Sequence, residues 1–190
     1  MLKITTIALV SVLALSACQR AGQPQLGPDG KPLPVAYKIT AQEETQIGPR
    51  VLGQINALRA NLGATPATLS PMLDAAAKAH ARDMAAQNRA WHFGSDGSSP
   101  LDRIRRQGYS GHLIGENISE TYENDITTLN AWMQNRDTRD VIMDPRATDV
   151  GIGWYQEPSG KIWWVLLTGG MNAQPMATAG FVGAGATPAL

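Results

Sequence analysis

The chain has 190 residues, 43% of them hydrophobic, which suits one ordinary domain with additional chain and excludes a wholly disordered protein. Sixteen basic and sixteen acidic side chains balance, so the basic excess of nucleic-acid-binding proteins is lacking and we expect no nucleic-acid partner. The single cysteine excludes an intramolecular disulfide framework and a cysteine-rich zinc site.

The N-terminal residues are typical of a secretory signal. Lys3 gives a positive start, and residues 7–15 form an apolar run that is too short to cross a bilayer. The segment ends in Leu15-Ser16-Ala17-Cys18, which resembles the lipobox of bacterial lipoproteins. The resemblance implies a signal peptide at residues 1–17, cleavage before Cys18 and lipidation of that cysteine. A plain signal peptide with an incidental cysteine, or a buried N-terminal helix, is the alternative.

The next segment predicts a flexible tether. Residues 19–38 contain four prolines and three glycines and have no helical or strand periodicity. Together with the lipidated Cys18 this gives an anchored linker over residues 18–39, with membrane binding through the lipid. Gln19 stands where an aspartate would favour retention in the inner membrane. The prediction is a lipid-anchored, periplasm-facing protein of the bacterial cell envelope, with the outer membrane favoured.

Three helices are predicted next in the chain. Apolar residues spaced by about four predict a first helix that ends near Gly63, with Pro49 either starting or kinking it. Ser70-Pro71 is typical of the start of a second helix, which ends between Asn88 and Trp91. A third helix begins after Ser99 and ends at Gly108.

The later elements predict strands around one more helix. Residues 111–120 alternate weakly, as a strand does, and residues 122–135 have a helical pattern. Residues 148–157 and 161–169 read as two strands of a hairpin. This order predicts a layered α+β fold with a central antiparallel sheet. The uncharged, Ala- and Gly-rich residues 170–190 predict a tail that is loose or drapes over the domain.

The order of several motifs resembles a known family. Six segments carry the resemblance: INALRANLG, LSPMLDAAAKAHARDMAAQN, HFGSDGSSPLDRIRRQGY, GENIS, Trp132, and ATDVGIGWYQEPSGKIWWVLLTG. Together they resemble the bacterial branch of the CAP superfamily, also called the SCP domain, over about residues 48–169. The resemblance implies a three-layer α–β–α sandwich with a cleft over the sheet. It places the CAP domain at residues 40–169.

The resemblance also implies the site residues. The family's cleft often holds two histidines and one or two acidic residues, and His92 and Glu116 match the first of each. At the second acidic position the chain has Asn135, and at the second histidine position it has Thr138. The candidate cleft pair is therefore His92 and Glu116, and the departures fall on the site itself.

The donor chemistry at these positions disfavours zinc. His92 and Glu116 supply two ligands, while the neutral oxygens of Asn135 and Thr138 hold a divalent ion weakly. His80 lies on an apolar helical stripe about 18 Å along a helix from His92, which is typical of a core histidine. His112 is interpreted as a solvated loop residue. Arg103 and Arg139 also match family positions, and we expect both to pair with buried carboxylates.

Three functions remain open at this level. The favoured hypothesis is a non-enzymatic module that binds a lipid, a peptide or an envelope protein. The second hypothesis is a hydrolase in which His92 and Glu116 form an acid–base dyad, with a weakly held metal or none. The structural alternative for that pair is a hydrogen bond that only joins strand and helix. In the third hypothesis the domain presents its surface or its tail to a partner.

Overall fold

The computed structural model describes residues 36–171. The signal peptide, the lipidation of Cys18, the tether up to residue 35 and the tail from residue 172, all predicted from the sequence, lie outside the described residues. None of the helices in the described range combines the length and hydrophobicity that spanning a bilayer requires. The elements in chain order are α1 (Ala41–Ala60), β1 (Thr68–Leu69), α2 (Pro71–Gln87), α3 (Pro100–Arg106), β2 (His112–Thr121), α4 (Asp125–Gln134), α5 (Arg136–Met143), β3 (Asp149–Gln156) and β4 (Ile162–Gly170).

Side-chain caps define where the helices begin. The hydroxyl of Ser70 accepts from the N–H of Leu73 at the start of α2. Ser99 and Asp102 form a reciprocal capping box at the start of α3. At α1 the cap is Thr40, so the helix begins well before Pro49 and runs through it. Pro49 therefore does not start this helix.

The sequence analysis did not predict one of the helices. The predicted helix over residues 122–135 ends at Gln134, and residues 136–143 form the separate helix α5. Asn135 lies between the two in an extended conformation, ending α4 and capping α5 through its side-chain oxygen. One asparagine both ends α4 and caps α5. The sequence therefore has no glycine or proline to indicate the boundary between the two helices.

The sheet has the strand order β1-β3-β4-β2. Strand β4 pairs antiparallel with β2 on one side and with β3 on the other, which agrees with the predicted antiparallel sheet. The two-residue β1 adds a parallel pairing with Asp149 and Val150 that was not predicted. The predicted hairpin between β3 and β4 is present, and Gly160 at its turn has a φ of +92°.

Helices cover both faces of the sheet. Helices α1, α4 and α5 pack on the face that carries Trp164, and α2 and α3 pack on the face that carries Trp163. Both tryptophans are fully buried, although they are adjacent in a strand and point in opposite directions. The predicted three-layer α–β–α sandwich is therefore confirmed.

A buried arginine fixes the end of α5. Arg59, at the end of α1, is completely buried and donates to the carbonyl oxygens of Thr65, Ile142, Asp144 and Ala147 at 2.7–3.2 Å. Three of these carbonyls lie at the end of α5 and in the loop that follows, where helix carbonyls otherwise lack partners. Sequence analysis did not single out Arg59, since an arginine near a helix end is usually exposed.

Two glycines let α2 approach the sheet closely. A Cβ on Gly151 would lie 2.4 Å from the backbone carbon of Leu73, and a Cβ on Gly153 would lie 2.2 Å from the backbone nitrogen of Lys78. These contacts involve helix backbone, which cannot swing aside as a side chain can. The central helix is thus seated directly on the backbone of β3.

This contact predicts that Gly153→Ala lowers the free energy of unfolding by about 1–3 kcal/mol, because α2 must shift outward. Gly53→Ala is the control, since a Cβ at Gly53 in α1 meets nothing within 4 Å. A helix-interior alanine there raises stability by up to about 1 kcal/mol. Urea unfolding measures both, and equal effects in the two variants would contradict the close approach of α2.

Candidate functional site

The side chain of Glu116 is the centre of the site. It lies in the middle of β2, opposite Leu167 of β4, and its carboxylate is completely shielded from solvent. A carboxylate in such a place needs partners for both oxygens, since an unpaired buried charge is very costly. The structure supplies them from α3 and from the loop that follows α2.

Arg103 of α3 holds one carboxylate oxygen. Its Nη2 donates to Oε2 of Glu116 at 2.6 Å. Its Nη1 donates to the carbonyl oxygens of His92 and Ser98, both at 3.0 Å. The same guanidinium thus neutralises Glu116 and fixes both ends of the loop over residues 92–98. The expectation that Arg103 pairs with a buried carboxylate is confirmed.

His92 holds the other oxygen, as the sequence predicted for the cleft pair. Its Nδ1 donates to Oε1 of Glu116 at 2.9 Å, and 21% of the side chain is exposed. The pair exists as a contact between a strand and a loop.

His80 also belongs to this cluster, which the sequence analysis did not foresee. Its Nε2 donates to the carbonyl of Trp91 at 3.0 Å and lies 3.9 Å from Oε1 of Glu116. The separation of about 18 Å between His80 and His92 was measured along a helix axis, and it does not apply because the chain turns back after α2. Helix α2 ends at Gln87, and Asn88 takes a left-handed conformation with φ of 48° that turns the chain back. Asparagine, which tolerates this conformation, was the available signal.

The environment sets the charges of this cluster. Burial by itself would raise the pKa of Glu116, but the hydrogen bond from His92 and the positive charge of Arg103 outweigh it and lower that pKa. Burial lowers the pKa of His80, and this effect together with the charge of Arg103 outweighs the nearby Glu116 carboxylate, which acts to raise that pKa. The arrangement is therefore a carboxylate held by one guanidinium and flanked by a neutral His80.

At the two positions that depart from the family, Thr138 and Asn135, the side chains form hydrogen bonds with backbone groups. The hydroxyl of Thr138 donates to the carbonyl of Trp132 at 2.6 Å, which joins α5 to the end of α4. The side chain of Asn117, next to Glu116, donates to the carbonyl of Thr138 at 2.8 Å. The oxygen of Asn135 accepts from the N–H of Asp137. The side chains of Thr138 and Asn135 therefore stabilise the junction of α4 and α5.

These residues do not fit a zinc ion. Arg103 places a positive charge against one oxygen of Glu116, and the Thr138 hydroxyl is directed at a backbone carbonyl. Within residues 36–171, no group of three or more His, Cys, Asp or Glu side chains is arranged to hold a metal ion. The donor set therefore supports an ion pair and not a tetrahedral metal site.

One arginine prediction was wrong. The side chain of Arg139 is 43% exposed and approaches only the exposed Asp140, with 3.9 Å between Nε and Oδ1. It therefore pairs with no buried carboxylate, since α5 turns this residue toward solvent. His112, interpreted as a solvated loop residue, is half-buried at the start of β2.

A groove of about 820 Å³ lies elsewhere on the domain, at the hairpin end of the sheet. Its walls are the segment 36–39, the N-terminal part of α1, two cationic residues of α2, and the hairpin between β3 and β4. The Gln156 side chain closes one wall, since its amide donates to the carbonyl of Tyr37 at 2.6 Å and its oxygen accepts from the N–H of Ile39. The half-buried Trp154 lies in this groove, with the ammonium of Lys78 4.9 Å from its ring centre.

The model of the CAP: Cysteine-rich secretory protein family matches residues 52–167 of the chain. Uncharacterized protein YkwD of Bacillus subtilis (strain 168) is 31% identical over 114 residues, which are 60% of this chain and 44% of that protein. The chain thus spans less than half the length of this curated relative.

Solved structures share the fold. An outer surface protein from Borrelia burgdorferi superposes with a TM-score of 0.62 at 20% identity, over 72% of this chain and 99% of that one. An extracellular protein containing a SCP domain from Bacillus anthracis str. Ames superposes with a TM-score of 0.59 at 20% identity, over 70% and 45% of the two chains.

The buried ion pair predicts an asymmetry between two arginines of α3. Arg103→Gln leaves the Glu116 charge buried without its cation and lowers the free energy of unfolding by about 3–5 kcal/mol. Arg106→Gln, which breaks the exposed pair with Asp96, leaves stability nearly unchanged. Urea unfolding at neutral pH measures both, and a small loss for Arg103→Gln would show that Glu116 does not depend on this pair.

Proposed function

Because the chain belongs to the CAP family, we propose that it is a lipid-anchored protein of the bacterial envelope whose CAP domain binds a partner and catalyses no reaction. The fold supplies a rigid scaffold. One observation carries the proposal, which is the state of Glu116.

Both oxygens of Glu116 are already committed. Arg103 takes one at 2.6 Å and His92 takes the other at 2.9 Å, in a position without solvent access. A general base must accept a proton from a substrate group, and a carboxylate in a strong ion pair with a lowered pKa is a poor acceptor. This geometry supports a structural role for the pair.

The hydrolase hypothesis gains little from the neighbouring residues. The Thr138 hydroxyl, which replaces the family's second histidine, is engaged by the carbonyl of Trp132. His92 is partly exposed, but the nitrogen nearest to Glu116 already donates to that carboxylate. These contacts support a binding module over a dyad enzyme.

The envelope location rests on the N-terminal sequence and on the proteins that share the fold. Residues 1–18 end in the lipobox-like Leu15-Ser16-Ala17-Cys18. Two proteins that share the fold are described as an outer surface protein and an extracellular protein, which agrees with export. Export with lipid on Cys18 would place the domain outside the cytoplasm and close to a membrane.

The hairpin-end groove is the surface we assign to the partner. Its volume of about 820 Å³ is within the range of known ligand sites, which is about 300–1,000 Å³. It contains the aromatic ring of Trp154 beside the cationic side chains of Lys78 and Arg82. An aromatic ring together with flexible cations offers both apolar contact and hydrogen bonds to a partner.

The edge of β3 indicates that this partner is an extended polypeptide. Strand β1 pairs with only Asp149 and Val150, and beyond them Asp74 caps the N–H of Ile152 at 2.8 Å. Because backbone groups alternate along a strand, the N–H and C=O of Trp154 face this same edge, where no strand of residues 36–171 pairs with them. An added strand would satisfy these groups, as in other edge-binding domains.

The anchor predicts that Cys18→Ser moves the protein from the membrane fraction to the soluble fraction. The reason is that Cys18 is the one cysteine of the chain and the only place for a thioether-linked lipid. Mass spectrometry of the purified native protein and fractionation of cells measure the change, with Ser16→Ala as a control that retains the cysteine. Membrane association of a Cys18→Ser protein whose residues 1–17 have been removed would contradict lipid anchoring.

The partner proposal predicts position-dependent crosslinking in living cells. A photo-crosslinking amino acid at position 82, in the groove, should give a discrete polypeptide adduct, and one at position 105, exposed on α3 outside the groove, should not. Trp154→Ala should weaken the adduct, whereas His92→Ala should leave it unchanged. Adducts of equal yield at both positions, or lipid adducts alone, would contradict a polypeptide partner in the groove. Turnover of a peptide or glycan that His92→Ala abolishes would instead favour the hydrolase.

A further inference from the structure

A lysine side chain crosses the free edge of β3. A Cβ on Gly153 would meet the backbone nitrogen of Lys78, so Gly153 faces α2. Trp154 follows Gly153 in the strand, and its side chain therefore points to the opposite face of the sheet. The ammonium of Lys78 nevertheless lies 4.9 Å from the ring centre of Trp154. The side chain of Lys78 must pass around the free edge to reach that ring, because β4 covers the other side of β3.

The position of Lys78 restricts which polypeptides can pair with this edge. A strand added beside Trp154 would lie about 4.8 Å from β3 and would cover the Lys78 side chain, which is exposed in this structure. Lysines at sheet edges discourage pairing in native proteins, because covering an ammonium group without a counter-charge is costly. Lys78 therefore disfavours any added strand that brings no negative charge.

The domain itself supplies no close counter-charge for the cations of the groove. Asp74, one helical turn before Lys78, accepts from the N–H of Ile152 at 2.8 Å and is not in an ion pair with Lys78. Lys38 and Arg82 also line the groove. Within residues 36–171, none of the three cations is in an ion pair with a carboxylate. Their charges are therefore available to a partner.

The groove has fewer available carboxylates than cations. Glu157 accepts from the indole N–H of Trp163 at 2.7 Å and lies 3.8 Å from the ammonium of Lys161, so its charge is already engaged. Glu44 on α1 is the other carboxylate of the wall, and it is exposed. The lining as a whole therefore favours an occupant with negative charge.

Helix α2 runs alongside β3 with a spacing that matches a strand. The Cβ position of Gly151 faces the peptide bond after Leu73, and that of Gly153 faces the peptide bond before Lys78. Two residues of strand thus span four residues of helix, which agrees with rises of about 6.6 Å and about 6 Å. One further step of four residues leads from Lys78 to Arg82. The two cations therefore have the spacing of side chains i and i+2 in an added strand.

We propose that the groove selects an acidic strand, in which the two residues that flank the partner of Trp154 are carboxylates bound by Lys78 and Arg82. The inference rests on the proposed polypeptide partner and specifies its charge. A residue that pairs with Trp154 has its side chain on the same face as Trp154, so its two neighbours point toward α2. Both carboxylates then lie on the side of the edge from which the two cations extend. The backbone of β3 gives the affinity, and Lys78 and Arg82 give the selectivity.

The test is a nuclear magnetic resonance titration of the ¹⁵N-labelled full chain with three capped seven-residue peptides. In these peptides valine alternates with glutamate, with glutamine or with lysine. The glutamate peptide should shift the backbone amide signal of Trp154 and bind at least about tenfold more tightly than the glutamine peptide. The lysine peptide should not bind. N-acetylglutamate at the same carboxylate concentration should leave the signal unchanged, because it has no strand to pair with β3.

A matched pair of charge reversals assigns the selectivity to the edge. Lys78→Glu changes an exposed side chain and should reverse the preference, so that the lysine peptide binds more tightly than the glutamate peptide. Arg105→Glu makes the same change in charge at an exposed position of α3 outside the groove and should leave the preference as it is. An unchanged preference in Lys78→Glu would overturn the inference.

The remaining outcomes separate this inference from the proposed function. Equal binding of the glutamate and glutamine peptides would overturn the selection for acidic strands and leave the polypeptide partner in place. Binding of phosphatidylglycerol vesicles that Lys78→Glu abolishes, with no peptide bound, would assign the cations to a membrane surface and overturn the inference. Failure of all three peptides would also overturn it, whereas the polypeptide partner is decided independently by crosslinking at position 82.

Discussion

Strand β4 is buried along its whole length, and this burial constrains every element around it. All nine of its residues lack solvent access, so it must have a strand on each side and a helical layer on each face. Trp163 and Trp164 fill the two opposite layers, and their indole N–H groups reach Glu157 and the carbonyl of Glu123. The small residues of β3 then bring α2 close enough to complete one layer. The position of α2 in turn sets the loop that carries His92.

Glu116 is a charged residue buried beside this apolar core. A buried carboxylate adds no stability unless its partners are well placed, and here they come from three separate segments of chain. The carboxylate of Glu116 in β2 therefore connects three other segments of the chain. They are α3 through Arg103, the loop after α2 through His92, and α2 through His80. Thr138 stands where the resemblance places the family's second histidine, and its hydroxyl binds the carbonyl of Trp132 at the junction of α4 and α5. The polar side chains around Glu116 therefore stabilise the fold.

Most elements of the fold can be predicted from local sequence patterns. The elements that cannot be predicted in this way share one physical cause. The spacing of Ile47, Val51 and Ile55 and the turn before Gly160 marked their elements because each signal lies within a few neighbouring residues. The boundary at Asn135, the left-handed Asn88 and the two-residue β1 depend instead on contacts between distant segments. The site followed the same division: the pair of His92 and Glu116 was predicted by resemblance, whereas the approach of His80 required knowing the direction that the chain takes after α2.

The chain enters and leaves the described domain at opposite ends of β4. Tyr37 is held by Gln156, which faces Ile162 at the start of β4, and the strand ends at Gly170, eight steps or about 26 Å further on at about 3.3 Å per residue. Tension applied between the two ends of the domain therefore runs parallel to the central strand. Such tension shears β4 against β2 and β3. Many hydrogen bonds of the two ladders must then break together and not one after another. The two ladders beside β4 therefore oppose a pull along this axis together.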